Sequence, residues 1–188
     1  MSGATVVATG SDLHKDLGVS VEAPDTSLPP QSGLSMVVFS GDLDKALAAM
    51  IIANGAASMD LPVSVFFTFW GLNILRKGGP VHVEGKKTTT EKMFGSMMPR
   101  GPEHLHISKM NMAGLGTRMI KKERAKKHVM SLPQLMKSAQ EQGVRFIACT
   151  MSMDLMGIHK EELIDGLTYA NVGTFIDAAD KSRMTLFI

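Results

Sequence analysis

The stretch LSMVVFSGDLDKALAAMI, Leu34 to Ile51, decides the architecture. Leu34 to Phe39 is an apolar run broken only by Ser35, with no in-out alternation. Such a run suits a strand buried on both faces, as in a parallel sheet covered by helices. Ser40, Gly41 and Asp42 then form a tight turn, and Ser40 or Asp42 is placed to cap the next helix. Leu43, Leu47, Met50 and Ile51 give that helix one apolar face, and its alanines raise helix propensity. Strand, turn and helix in this order make half of a βαβ unit.

The same grammar repeats downstream. Pro62 to Phe69 reads as a second strand and Trp70 to Lys77 as a short helix, stopped by Gly78, Gly79 and Pro80. Ser131 and Gln134 have capping-box spacing, and Pro133 is tolerated in the first turn of the helix they open, which runs to Gly143. Val144 to Cys149 is a third strand. A helix from Met151 to Gly157 follows, then a short strand at Leu167 to Tyr169, a helix from Val172 to Ser182 and a last strand at Met184 to Ile188. Strands alternating with helices predict an α/β fold: a flavodoxin-like, open, mainly parallel sheet with helices on both faces. Right-handed crossovers bring the carboxyl ends of the strands to one edge, where ligands of such sheets bind.

Two regions fall outside this grammar. Residues 1–33 read as a flexible N-terminal tail, with Pro24, Pro29 and Pro30 and few large apolar residues after Val21. The folded domain then spans residues 34–188. Within it, residues 80–130 hold no convincing strand and exceed ordinary loop lengths, so they read as a helical insertion with helices at 90–98 and 116–130.

Composition narrows the classes further. The chain has 188 residues, of which 44 % are hydrophobic and 20 % charged, as expected of one globular domain and not of a disordered chain. Its one cysteine forbids an internal disulfide, a CxxC pair and any multi-cysteine metal site. A reduced, cytoplasmic protein is the expectation. Met1 to Gly10 lacks the features of a secretory signal. The most apolar stretch, Leu61 to Leu75, is interrupted by Pro62, Ser64, Thr68 and Asn73 and is shorter than the roughly 20 residues a spanning helix needs. No transmembrane segment is expected, which leaves peripheral membrane contact open.

The formal net charge of +2 hides a local excess. Arg118, Lys121, Lys122, Arg124, Lys126 and Lys127 stand together against Glu123 alone, a patch suited to docking an acidic partner or a neighbouring subunit or to a solvated helix face. Nothing resembling a zinc finger or an RNA-binding aromatic motif accompanies it, so no nucleic acid is expected as partner. Methionines concentrate nearby, 11 of the 16 lying between Met93 and Met156. They fit either core gap-filling or an adaptable contact surface.

Three strand-end loops are the candidate chemistry. The first supplies Ser40, Gly41, Asp42 and Lys45, the second Thr68, Trp70 and Gly71, the third Cys149 and Thr150. A cysteine at a strand's end would face the amides of the following helix, which favour thiolate over thiol. The bland alternative is a core cysteine, a common fate of this residue. His104 and His106 alternate without completing a ligand cluster, and no phosphate-binding GxxxxGK[ST] loop is present. No metal and no cofactor are expected.

In combination, Ser40 to Lys45 (SGDLDK), Phe66 to Leu72 (FFTFWGL), Ala148 to Met153 (ACTMSM) and Met156-Gly157 resemble the DsrE/DsrF/DsrH-like family, in its larger DsrE2-type branch. The resemblance covers Leu34 to Ile188. It implies a flavodoxin-like fold, homo-oligomers, and sulfur trafficking in which a cysteine persulfide passes to or from rhodaneses and TusA-type carriers. Cys149 stands at the carrier position. Some relatives have a second cysteine; without one, no disulfide cycle can run inside one subunit. The expected function is therefore a sulfur carrier or sulfurtransferase using Cys149, with turnover or single carriage left open. The competing expectations are a non-catalytic oligomeric interaction protein, built on the Met-rich insertion and basic patch, and a small-ligand or membrane-peripheral module.

Overall fold

The computed structural model describes residues 32–188 apart from 80, 84–87, 89, 90, 92, 94 and 96. The expected tail lies outside this set, save Ser32 and Gly33. Apolar runs become β1 (Leu34–Val38), β2 (Val63–Phe67), β3 (Arg145–Cys149), β4 (Thr168–Ala170) and β5 (Met184–Phe187). They pair in the order β4-β3-β2-β1-β5, every pair parallel. The helices are α1 (Leu43–Ala57), α2 (Leu115–Lys126), α3 (Leu132–Glu141), α4 (Thr150–Met156) and α5 (Val172–Asp180).

The sheet has two unequal faces. Val38, Val65, Phe67, Phe146 and Ala148 point into the main core, against α1 and α3. Leu43 and Met50 of α1, with Leu132, Leu135 and Met136 of α3, are fully buried there. At about 1.5–3 kcal/mol for each buried large side chain, these helices are firmly held. On the opposite face Phe66, Ile147 and Cys149 pack against Ala170 and the half-buried Phe175. Of α5 only Ala178 is buried outright. This second face is thinly covered.

Several local expectations are realised as read. Ser131 Oγ accepts the Gln134 amide and Gln134 Oε1 accepts the Ser131 amide at 2.7 Å, which closes the capping box of α3. The helix after β2 is shorter and tighter than expected, a 3-10 helix over Phe69–Leu75. The start of α1 differs in substance. Asp42 takes the cap position, but its carboxylate binds the Ser40 hydroxyl and Lys45, each at 2.9 Å, and caps nothing. The Leu43 amide instead bonds the His106 carbonyl at 2.8 Å, so the insertion closes this helix end. Ser108 reinforces the same seam by donating its amide and hydroxyl to the Asp44 carboxylate at 2.8 and 2.6 Å.

In the insertion, the described residues 91, 93, 95 and 97 are helical, and the rest of the helix expected over 90–98 lies outside the described set up to Met98. The expected 116–130 helix is α2, which ends at Lys126. No helix among the described residues is long and apolar enough to cross a membrane.

Candidate functional site

β1 to β4 step across the sheet in one direction, and β5 returns to the far side of β1. The crossover after β3 runs through α4 on the main-core side, where Met153 and Met156 are buried, whereas α5 after β4 lies on the other side. The strand order therefore reverses between β1 and β5, which makes the carboxyl ends of that pair the topological switch point of the sheet. Cys149, the last residue of β3, pairs with Ala170, the last residue of β4. The sole cysteine thus stands on the carboxyl edge of the sheet, two strands from β1 and the switch point beside it.

Its surroundings are not those expected from sequence. Cys149 sits at the N-cap of the seven-residue α4 but makes no side-chain cap bond to its amides. Its Sγ accepts a hydrogen bond from the Ser152 hydroxyl at 3.4 Å. Ser152, three residues on, lies on the same side of the first turn and is 0 % exposed. Its hydroxyl is 2.7 Å from Thr68 Oγ1. With its one proton donated to sulfur, Ser152 must receive the proton of Thr68. Thr68 follows β2, beside Cys149, because Phe67 is in register with Ala148. Two loops thus join in one relay, Thr68 to Ser152 to Sγ. Thr150 turns away, its hydroxyl donating to the Ala170 carbonyl at 3.5 Å.

The first loop joins this rim through backbone. The Gly71 amide bonds the Phe39 carbonyl at 2.9 Å, and a Cβ at Gly71 would overlap the Val38 carbonyl oxygen. A Cβ at Gly41 would come within 2.8 Å of the Trp70 carbonyl oxygen. Glycine is needed at both positions because two backbones touch. Phe39 packs against Phe69 and Phe187, with centroids 5.4 and 5.9 Å apart, and Trp70 is exposed beside them. Ser40, Gly41 and Asp42 make no hydrogen bond to Cys149, and Lys45 is occupied by Asp42. The first loop meets the second and the second meets the third, and only Thr68 reaches the sulfur through a partner.

Access is restricted. Cys149 is 2 % exposed, enclosed by Phe66, Ile147, Ala170 and Phe175. A cavity of about 440 Å³ opens beside Thr150, Met153, Asp154 and Gly157, but Cys149 is not on its wall.

Behind α4, Arg76 is 1 % exposed and binds Glu162 at 3.2 Å. Burial pushes its guanidinium below the ordinary arginine range, against the pull of Glu162. Flanking backbone bonds, Lys77 amide to Glu162 carbonyl and Ile164 amide to Leu75 carbonyl, tie the segment after β2 to the segment after α4. The six clustered cations lie on α2 and its C-cap, remote in sequence from all three loops. Among the described residues, no three His, Cys, Asp or Glu side chains gather as a metal site. Sequence reasoning passed over Ser152, Phe175 and the Arg76–Glu162 pair. For Ser152 the signal was its place three residues after the cysteine.

The chain resembles known proteins in sequence. A family profile described as DsrE/DsrF/DrsH-like matches residues 30–187. An uncharacterized protein of Bacillus subtilis, YrkE, is 53 % identical over 154 residues, covering 82 % of this chain and 95 % of its own. A protein of Allochromatium vinosum named sulfur carrier protein DsrE2 is 35 % identical over 162 residues, covering 84 % of this chain and 99 % of its own. Among solved structures, the ychN protein of E. coli aligns with a TM-score of 0.47 at 11 % identity, over 83 % of this chain and 98 % of that one.

Proposed function

The chain belongs to the DsrE/DsrF/DrsH-like family, and from that premise we propose that it carries sulfane sulfur as a persulfide on Cys149. Membership, together with a relative named a sulfur carrier, supports a role in sulfur trafficking. The observation that carries the finer reading is the hydroxyl relay from Thr68 through Ser152 to the only sulfur nucleophile in the chain. A hydroxyl that donates to sulfur stabilises its anionic form, and the anion is the attacking species.

The chemistry balances without an added oxidant. The Cys149 thiolate attacks the outer sulfur of a donor such as thiosulfate; the donor S–S bond breaks, and sulfite leaves with the bonding pair. The new Cys149 persulfide carries one negative charge on its outer sulfur. An acceptor thiolate then takes the outer sulfur and returns Cys149 to thiolate. A TusA-type carrier or a rhodanese is the proposed exchange partner. With one cysteine per chain, the sulfur must leave to another molecule or another subunit.

Access to the sulfur is proposed from the thinly covered face, where Phe175 of α5 packs against the cluster that holds Cys149. A homo-oligomer is proposed through β5, whose Met184, Leu186 and Phe187 are exposed along an open sheet edge. Burial of Cys149 favours a second reading, an oligomeric interaction protein whose cysteine is only core.

The deciding experiment is intact mass spectrometry after incubation with thiosulfate or polysulfide. The carrier reading expects increments of roughly 32 Da that a reductant removes, and none in Cys149→Ser. Equal labile sulfur on that variant would sink it. Native protein that neither loads nor alkylates with iodoacetamide until unfolded would favour the second reading.

A further inference from the structure

Away from Cys149, the loop 97–106 and α2 enclose an open cleft of about 700 Å³. Arg100, Arg118 and Lys121 line it, with Glu103 the one acidic residue on its wall. None of the three cations meets a carboxylate among the described residues. Arg100 reaches the Gly95 carbonyl at 3.4 Å and Lys121 the Glu103 carbonyl, while Arg118 has no ion-pair or hydrogen-bond partner among them.

The helix over this cleft is unpartnered in an unusual way. Of α2 only Thr117 is buried; its hydroxyl donates to Asn111 Oδ1 at 2.8 Å and accepts the Ile107 amide at 3.1 Å. Thr117, with Lys121 on the Glu103 carbonyl, ties the helix to its loop. At 100° per residue, Leu115, Met119, Lys122 and Lys126 form the stripe opposite Thr117. Met119 is 64 % exposed, and Met110 and Met112, just before the helix, are more exposed still. Cations and adaptable thioether side chains share one surface, half concave and half convex.

We propose that this cleft and the outer stripe of α2 dock an acidic, apolar-containing polypeptide segment of a partner protein. Charge complementarity names the occupant's sign, and the exposed methionines name its apolar component. A small anion would fill the cleft but leave Leu115 and Met119 uncovered. A lipid surface is too flat to meet Arg100, Arg118 and Lys121 inside the concavity. A second copy related by a two-fold axis would set α2, with six cations against Glu123, onto itself. The assignment deepens the carrier reading and rests on it for the purpose of the docking: the partner is held on the insertion while sulfur is exchanged at Cys149.

The probe is a short fluorescein-labelled peptide repeating Glu-Glu-Leu, with a Lys-Lys-Leu control, read by fluorescence anisotropy on the full chain. The acidic peptide should bind, and weaken steeply as salt rises through the range where exposed charges become screened. Combined Arg118→Glu, Lys121→Glu and Lys122→Glu should weaken it about tenfold or more. Met119→Ser with Leu115→Ser should weaken it by a smaller factor. Cys149→Ser should bind like wild type, and the charge-reversed protein should still load sulfur, which separates failure here from failure of the carrier reading. Unchanged binding by the charge-reversed protein would overturn the proposal. So would equal binding of the control peptide, tighter capture by anionic vesicles than by the peptide, or loss of a dimer on charge reversal.

Discussion

Replacing Ser152 with alanine removes one oxygen from the interior and tests the relay directly. The hydroxyl lies 3.4 Å from Cys149 Sγ and 2.7 Å from Thr68 Oγ1, with no exposure to water. A hydrogen bond to a neutral group is worth about 0.5–1.5 kcal/mol net, and one to an anion about 1.5–3 kcal/mol. If Cys149 attacks as thiolate, the larger figure applies to the attacking anion. The loading rate of Ser152→Ala should then fall roughly ten- to a hundredfold. Folding stability should drop by only about 1 kcal/mol, because the half-buried Thr68 can turn to water. Final sulfur per chain should match wild type, since Cys149 is untouched. The assay is a time course of intact mass after thiosulfate addition, with circular dichroism confirming the fold. Thr68→Val should give a smaller loss, as Ser152 keeps its proton for sulfur but loses its own donor. A folded Ser152→Ala protein that loads at the wild-type rate would refute the relay.

Three further outcomes come from neighbouring features. Phe175→Ala removes the ring packed 5.4 Å from Phe66 and thins the cover over Cys149; alkylation by iodoacetamide should accelerate about tenfold, given roughly 0.5–1.5 kcal/mol for the ring pair plus lost burial. Glu162→Gln strands the buried Arg76 guanidinium and should cost about 3–5 kcal/mol by urea unfolding, whereas Arg76→Met with Glu162→Leu should be near neutral; a cost of Glu162→Gln below about 1 kcal/mol would mean the pair holds nothing. Burial pushes the Asp44 carboxyl up, but the two Ser108 hydrogen bonds outweigh it and hold the group below its ordinary 3.8. A lowered folded value means the contribution is intact above that ordinary value and is lost as pH falls through the lower one. Amide exchange at Ser108 should therefore be steady from neutral pH to about pH 5 and accelerate, beyond its intrinsic pH trend, only in more acid solution. Acceleration already near neutral pH would contradict that sign.

The strands and the cysteine's position were legible because they depend on neighbours in sequence. Apolar runs from Leu34, Pro62 and Val144, interrupted only by Ser35, by Ser64 and Thr68, and by Arg145, mark strands buried on both faces, and the Ser131–Gln134 spacing marks a helix start within one turn. What escaped depends on distant residues. Ser152 looks like an ordinary helix serine until Thr68, 84 positions away, is set beside it. Arg76 reads as a charged stop after a short helix, yet Glu162 draws it inside. Asp42 has the right chemistry for a cap, but Lys45 and Ser40 claim its carboxylate while a carbonyl from the insertion takes over the cap. Cys149 was expected to meet amides of its own helix. The side chain one turn on reached it first.

The pairing of β1 with β5 bears on how the chain is made. Leu34 finds its partner Met184 only after 150 further residues have been synthesised. At ribosomal speeds that delay is on the order of ten seconds. Throughout it, β1 lacks its second parallel neighbour. β2 can shield one side early, but the other side waits for β5. Contacts this distant slow folding. Emergence of β5, rather than of β1, is thus the step that completes the sheet.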